Sequence, residues 1–135
     1  GATIHLAAAD REWVMRHDPS ISFWAGSFEP VPGVTVVQTG GHFEGAAVLN
    51  WQGALMTGDV IYVLPGRDSR VSFMCSYPML LPLPEQSLAG LLAAIDGLEY
   101  ERIYGAWWDS VIDSNAQAVV RESAELYRTW LQGRG

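Results

Sequence analysis

Positive charge is scarce in this chain of 135 residues, which has eight Lys and Arg against fifteen Asp and Glu. The formal net charge is −7, and no run of basic residues exists that could follow a phosphate backbone. Binding to nucleic acid or to an anionic membrane surface depends on such positive charge. We therefore expect neither nucleic acid nor a membrane among the partners.

Cysteine occurs once, at Cys75, so an intrachain disulfide is impossible, as is usual in a reducing compartment. No apolar run approaches the roughly 20 residues that cross a bilayer. The first residues, Gly1 to Thr3, have neither a basic start nor a signal-like apolar stretch. We expect a cytoplasmic protein, and Gly1 in place of a methionine suggests a processed or trimmed chain.

Several catalytic motifs are also missing. The sequence contains no Ser nucleophile elbow, no P-loop and no dinucleotide-binding fingerprint. The glycine-containing stretches GDVIYVLPG and TGGHFEG both fail those templates. Histidine occurs only at His5, His17 and His42.

Apolar residues are abundant, at 49% of the chain with six Trp, whereas charged residues make up 17%. This composition is typical of a globular protein, and the length suits one domain but not two. We treat residues 1–135 as a single domain. Such large apolar area must be buried in the core or used at an interface.

The pattern of apolar residues predicts the order strand, helix, several strands, helix, strand, helix. Asp10 is expected to cap the first helix, whereas Ile21 to Phe28 is predicted to be an irregular loop. Ser87 opens a second helix with one apolar stripe. Ser114 is expected to cap the last helix, which would bury Trp130 among other residues. Strands are predicted at 2–8, 34–38, 47–51, 54–56 and 102–108.

The stretch from Thr39 to Asp59 carries the most specific signal. Two glycines precede His42, and Gly58 precedes Asp59, so a metal-capable side chain follows each of two predicted strands. The backbone at these glycines can adopt positive φ and approach another group closely. Each motif has a simpler alternative, in which His42 packs on a neighbouring strand and Asp59 accepts hydrogen bonds from backbone N–H groups of its own turn.

Gly41-His42 and Thr57-Gly58-Asp59 resemble, in type and order, two motifs of the metallo-β-lactamase-fold hydrolases. The resemblance implies zinc as cofactor, with His42 as the third histidine of the first metal site and Asp59 as the aspartate that can bridge two metals. It also implies a mixed α/β (α+β) fold, one half of an αββα sandwich, in which a mixed sheet carries its helices on one face.

Other ligand motifs of that family are absent. No HxHxDH sequence occurs in this chain, and Ala106 or Trp107 falls where the family's last histidine is expected. Trp cannot replace it, because the indole N–H is only a donor. The resemblance therefore covers nearly all of this chain but corresponds to the C-terminal half of the family's domain.

Two function classes follow from these observations. The first is a metal-dependent hydrolase in which zinc-activated water attacks an ester, thioester, amide or phosphodiester of a small molecule, with Asp59 as the catalytic carboxylate. The second is a non-catalytic structural or interaction module that forms homo-oligomers through the surface left by the missing half. A third possibility is a small-molecule pocket built from Phe23, Trp24, Trp107 and Trp108.

Overall fold

The computed structural model describes residues 1–66 and 69–133, and this part of the chain contains twelve strands and two α-helices. The helices are Glu85–Ile95 (α1) and Ala116–Leu131 (α2). The strands are Ile4–Ala7 (β1), Ile21–Trp24 (β2), Ser27–Val31 (β3), Val34–Gln38 (β4), Ala47–Trp51 (β5), Ala54–Gly58 (β6), Tyr62–Val63 (β7), Val71–Ser72 (β8), Met74–Ser76 (β9), Leu81–Pro82 (β10), Arg102–Gly105 (β11) and Val111–Ile112 (β12).

One six-stranded sheet forms the centre, with the strand order β12-β11-β6-β5-β4-β3. Strands β3 to β6 form an antiparallel meander, and the β5–β6 turn is tight because Gln52 and Gly53 both have positive φ. The chain then returns through α1, so that β11 lies beside β6 in parallel, with Ile103 opposite Leu55. A parallel pair needs such a crossover connection. The sheet is therefore mixed, as the sequence predicted.

Both helices pack on the same face of this sheet. The apolar stripe of α1 buries Leu88 and Leu91, and α2 buries Val120. These side chains belong to one hydrophobic cluster with Leu55 and Ile103 of the central strands. The expected arrangement of helices on one face is thus observed. Within the described ranges, neither helix is long and apolar enough to cross a membrane.

The N-terminal region differs from the prediction. The segment that was expected to be an irregular loop forms β2 and the start of β3, and β2 pairs with β1 in parallel, with Ile4 opposite Ile21. Asp10 lies inside a 3-10 helix, Ala8–Trp13, and does not cap it; its carboxylate accepts a hydrogen bond from the Gly45 N–H at 2.7 Å. Both features depend on partners distant in sequence, which local patterns do not reveal.

The last helix also begins and ends differently. Asn115, in the left-handed conformation, precedes its first residue, and Ser114 does not cap it. Tyr127 still packs against the core, but Trp130 is 64% exposed. The prediction that Trp130 lies on the buried side is therefore wrong.

Candidate functional site

The two candidate metal ligands lie at the same edge of the sheet. Strands β4, β6 and β11 run in one direction, because β5 is antiparallel to both β4 and β6 and β11 is parallel to β6. His42 follows β4, Asp59 follows β6, and the loop with Trp107 follows β11. The carboxyl edge of a sheet of this type is where ligands commonly bind.

His42 is held in a defined orientation. The loop that carries it turns at Gly40 and Gly41, whose φ angles are 61° and 88°. The imidazole Nδ1 lies 3.0 Å from the carbonyl oxygen of Met74. A carbonyl only accepts, so Nδ1 carries the proton and donates, which leaves the Nε2 lone pair available. Metal-binding histidines are oriented by backbone carbonyls in this way.

Asp59 lies on a turn that two hydrogen bonds stabilise. The buried Thr57 hydroxyl donates to the Ile61 carbonyl at 2.8 Å, and the Val60 N–H donates to the Thr57 carbonyl at 3.0 Å. The Asp59 carboxylate is exposed and accepts no hydrogen bond from residues 1–66 and 69–133. The alternative in which this carboxylate accepts hydrogen bonds from backbone N–H groups of its own turn is therefore not observed.

Tyr77 packs against His42 and Tyr62 packs against Tyr77, and the sequence did not point to either tyrosine. The Tyr77 ring centroid is 5.4 Å from that of His42 and 4.6 Å from that of Tyr62. Burial raises the pKa of Tyr77 above its usual value, and the negative charge of Asp59 raises it further. Tyr77 therefore senses Asp59 while it packs against His42. No motif marks Tyr77, since its contact with His42 joins two residues that are distant in the sequence.

A small cavity of about 180 Å³ extends this edge on the side of β11, where its lining includes Tyr62, Trp107 and Asp109. Phe23 lines a different cavity, together with His17. Among the described residues the predicted aromatic pocket is therefore not assembled, because its members lie in separate places.

His42 and Asp59 are the two ligand positions that the resemblance implies for zinc, and they do not make a complete site. Zinc sites in enzymes use at least three protein ligands. In the part of the chain that the structure describes, no group of three or more His, Cys, Asp and Glu side chains could hold a metal ion. His5 stacks on Phe28, with ring centroids 5.0 Å apart, and His17 lines another cavity. His5 and His17 thus lie apart from His42 and Asp59.

The sequence matches no protein-family profile. It is 40% identical, over 133 residues, to the uncharacterized protein YmaE of Bacillus subtilis (strain 168), an alignment that covers 93% of this chain and 48% of YmaE. The chain thus spans about half the length of that relative.

Two solved structures resemble the fold. The metal-soaked Flv1 flavodiiron core from Synechocystis sp. PCC6803 aligns with a TM-score of 0.55 and 15% identity, over 97% of this chain and 37% of that one. A metallo-β-lactamase family protein from Thermus thermophilus aligns with a TM-score of 0.51 and 20% identity, over 99% of this chain and 54% of that one. At these identities the similarity concerns the fold alone. The chain has the fold of about half of a metallo-β-lactamase family protein.

Proposed function

We propose that this chain is the C-terminal half of a metal-dependent hydrolase with the metallo-β-lactamase fold, in which His42 and Asp59 are two of the metal ligands. The remaining ligands would come from the half of the fold that lies outside this chain. Two protein ligands are one short of the usual minimum, so we expect the chain to bind zinc weakly by itself and to lack catalytic competence.

The orientation of His42 is the observation that carries this proposal. Its Nδ1 is 3.0 Å from the Met74 carbonyl, which selects the tautomer whose Nε2 can bind a metal. The exposed carboxylate of Asp59 at the same sheet edge adds an oxygen donor that is not engaged by residues of the described ranges.

Bound zinc would supply a water of lowered pKa as the nucleophile for a small-molecule ester, thioester, amide or phosphodiester. The residues of this chain would orient the imidazole of His42 and place the carboxylate of Asp59. The Met74 carbonyl fixes the His42 ring, and Thr57 holds the turn that presents Asp59. Asp59 is the carboxylate best placed to accept a proton at this edge.

Zinc titration of the chelator-free protein tests the ligand roles without an activity assay. We expect the native chain to bind about one zinc ion with low affinity, as measured by calorimetry up to saturating zinc. His42→Ala should abolish this binding, and Asp59→Asn should weaken it by about tenfold or more, as expected when one metal contact is lost.

His17→Ala is the matched control, because His17 lines a different cavity from the site. Its zinc affinity should equal that of the native chain. Equal zinc binding in His42→Ala and His17→Ala would exclude His42 as a ligand.

A second candidate is a non-catalytic structural or interaction module that forms homo-oligomers. The observation that favours it is the lack of a three-ligand group among residues 1–66 and 69–133. A stable oligomer that binds no added zinc would support this module over the hydrolase. A zinc-binding chain in which only His42→Ala and Asp59→Asn lose affinity would support the hydrolase.

A further inference from the structure

A cavity of about 330 Å³ lies between the two α-helices. Its lining comes from three segments, which are the end of α1, one face of α2 and the residue Tyr100 before β11. We call it the helix cavity. Its volume falls in the range of about 300–1,000 Å³ that holds small organic ligands. Neither His42 nor Asp59 lines it, so it is separate from the candidate metal site.

The helix cavity lies on the side of the sheet that the helices cover. In an αββα sandwich the two sheets pack against each other and the helices form the outer layers. The half of the fold that our proposed function places outside this chain would therefore pack on the opposite face of the sheet. The walls of the helix cavity are fixed by this chain's own core, to which both helices and Tyr100 belong.

The base of the helix cavity is apolar. Ile95, Val120 and Ala124 line it and are 4%, 1% and 1% exposed, and Leu92 packs against the same core. Burial of apolar ligand surface against such side chains is favourable, and most small-molecule sites have predominantly apolar walls. The base can thus accept a hydrocarbon group.

Tyr100 places a polar group in this apolar base. The residue is only 6% exposed, and its hydroxyl forms no hydrogen bond with residues 1–66 and 69–133. Every fully enclosed side-chain nitrogen or oxygen in that part of the chain has a partner. The Tyr100 hydroxyl is therefore not enclosed, and the helix cavity is the opening that Tyr100 lines. Buried tyrosine hydroxyls usually have a partner, so a ligand atom that accepts this hydrogen bond would complete the site.

Arg121 adds a positive charge beside Tyr100. Burial raises the pKa of Tyr100 to about 12, and the positive charge of Arg121 opposes this rise, so the two side chains are close enough to interact. At neutral pH the phenol is protonated and can donate, as can the guanidinium. Among the described residues no carboxylate lies within 4.0 Å of Arg121, in contrast to Arg128 of the same helix face. Two donors and one positive charge thus meet at the helix cavity.

Two carboxylates also line the helix cavity, and their charges are unequal in effect. Glu125 pairs with Arg128 at 2.8 Å, so its charge is largely balanced. Asp96, after the last residue of α1, is exposed and forms no ion pair within the described ranges. Because exposed charges are screened by water, Asp96 opposes an anion at the base only weakly.

We propose that the helix cavity binds a small carboxylate with an apolar body. The ligand carboxylate accepts hydrogen bonds from the Tyr100 hydroxyl and the Arg121 guanidinium, and the apolar body lies on Ile95, Val120 and Ala124. This site goes beyond the proposed function, and it requires no zinc.

Calorimetric titration of the native chain with 3-phenylpropanoate, in the presence of a chelator, tests the site. We expect saturable binding of about one molecule with a dissociation constant below about 1 mM. Tyr100→Phe should weaken it by about fivefold, because one neutral donor is lost. Arg121→Gln should weaken it by about tenfold or more, because a charged donor is lost. Asp96→Asn should strengthen it, because a negative charge at the rim is removed.

Ligand controls separate the two halves of the recognition. The uncharged 3-phenylpropanamide and the short acetate should both bind at least about tenfold more weakly, since one lacks the charge and the other the apolar body. Equal affinity for 3-phenylpropanamide would overturn the proposal of an anion site. So would tighter binding of the cation 3-phenylpropylammonium, particularly if Asp96→Asn weakened it.

Tyr104→Phe and Arg102→Gln are the matched control variants, because both residues lie in β11 and neither lines the helix cavity. Both should bind 3-phenylpropanoate as the native chain does. Tyr100→Phe should keep the native urea midpoint or raise it, since its hydroxyl has no partner among the described residues. A lowered midpoint would indicate a structural role for the hydroxyl instead.

The proposal is overturned if the native chain shows no saturable binding, or if Tyr100→Phe and Arg121→Gln both bind as the native chain does. If Tyr100→Phe does not fold by circular dichroism, Arg121→Gln decides the question, because Arg121 is exposed. Since the chelator removes zinc, failure of carboxylate binding and failure of metal binding remain distinguishable.

Discussion

Replacement of Thr57 by valine tests whether a buried hydroxyl holds the Asp59 turn. Thr57 is 1% exposed, and its hydroxyl donates to the Ile61 carbonyl at 2.8 Å. Valine keeps the shape of threonine but removes the donor, so the buried carbonyl loses this partner. An unsatisfied buried group costs about 1–3 kcal/mol. We expect Thr57→Val to lower the free energy of unfolding by about 2 kcal/mol.

Urea denaturation measures this change directly. With an m-value of about 1–3 kcal/mol per molar urea, a loss of about 2 kcal/mol moves the midpoint by about 1 M. Thr57→Ser is the comparison, because serine keeps the hydroxyl and loses one methyl group, at a cost of about 1 kcal/mol.

The relative stability of the two variants shows whether the hydroxyl or the methyl group of Thr57 matters more. Thr57→Val should be less stable than Thr57→Ser, since a lost hydrogen bond to a buried carbonyl outweighs a lost methyl group. A valine variant as stable as the native chain, or more stable than the serine variant, would refute a structural role for the hydroxyl.

Two further predictions concern the same sheet edge. Gly41→Ala should destabilise the chain by about 1 kcal/mol or more, because φ is +88° there, a conformation that L side chains rarely adopt; Gly90→Ala, in helix α1 with open space around it, should not. Asp59→Asn should lower the pKa of Tyr77, because the Asp59 carboxylate raises it. Tyrosinate absorbance should then appear at lower pH than in the native chain, whereas the control Asp113→Asn should leave that titration unchanged. Because the pKa of Tyr77 is raised in the folded chain, its contribution to the free energy of unfolding is complete below the unfolded pKa of about 10 and is lost as pH rises further. A free energy of unfolding that stays constant above that pH would contradict the burial of the Tyr77 phenol.

Local sequence patterns predicted those elements whose signals, an apolar stripe or a glycine-containing turn, lie within the element itself. The apolar stripe of Leu88 and Leu91 predicted α1, although the helix begins at Glu85, before the expected Ser87. The run Val34–Gln38 and the hairpin that follows it were recognisable because their turns contain the glycines that tight turns need. The wrong predictions fall in β2, at Asp10 and Ser114, which cap no helix, and at the end of α2. The pairing of β2 and the position of Asp10 depend on residues distant in the sequence.

The sequence by itself determined that His42 and Asp59 each follow a strand, because the glycines of the GGH and TGD turns directly precede these two residues. Only the tertiary structure decided what surrounds them. The Met74 carbonyl that orients His42 lies 32 residues further along the chain, and Tyr77 arrives with the same segment. Contacts of this kind form when separate elements bury their apolar faces together, and no local periodicity encodes which of them meet.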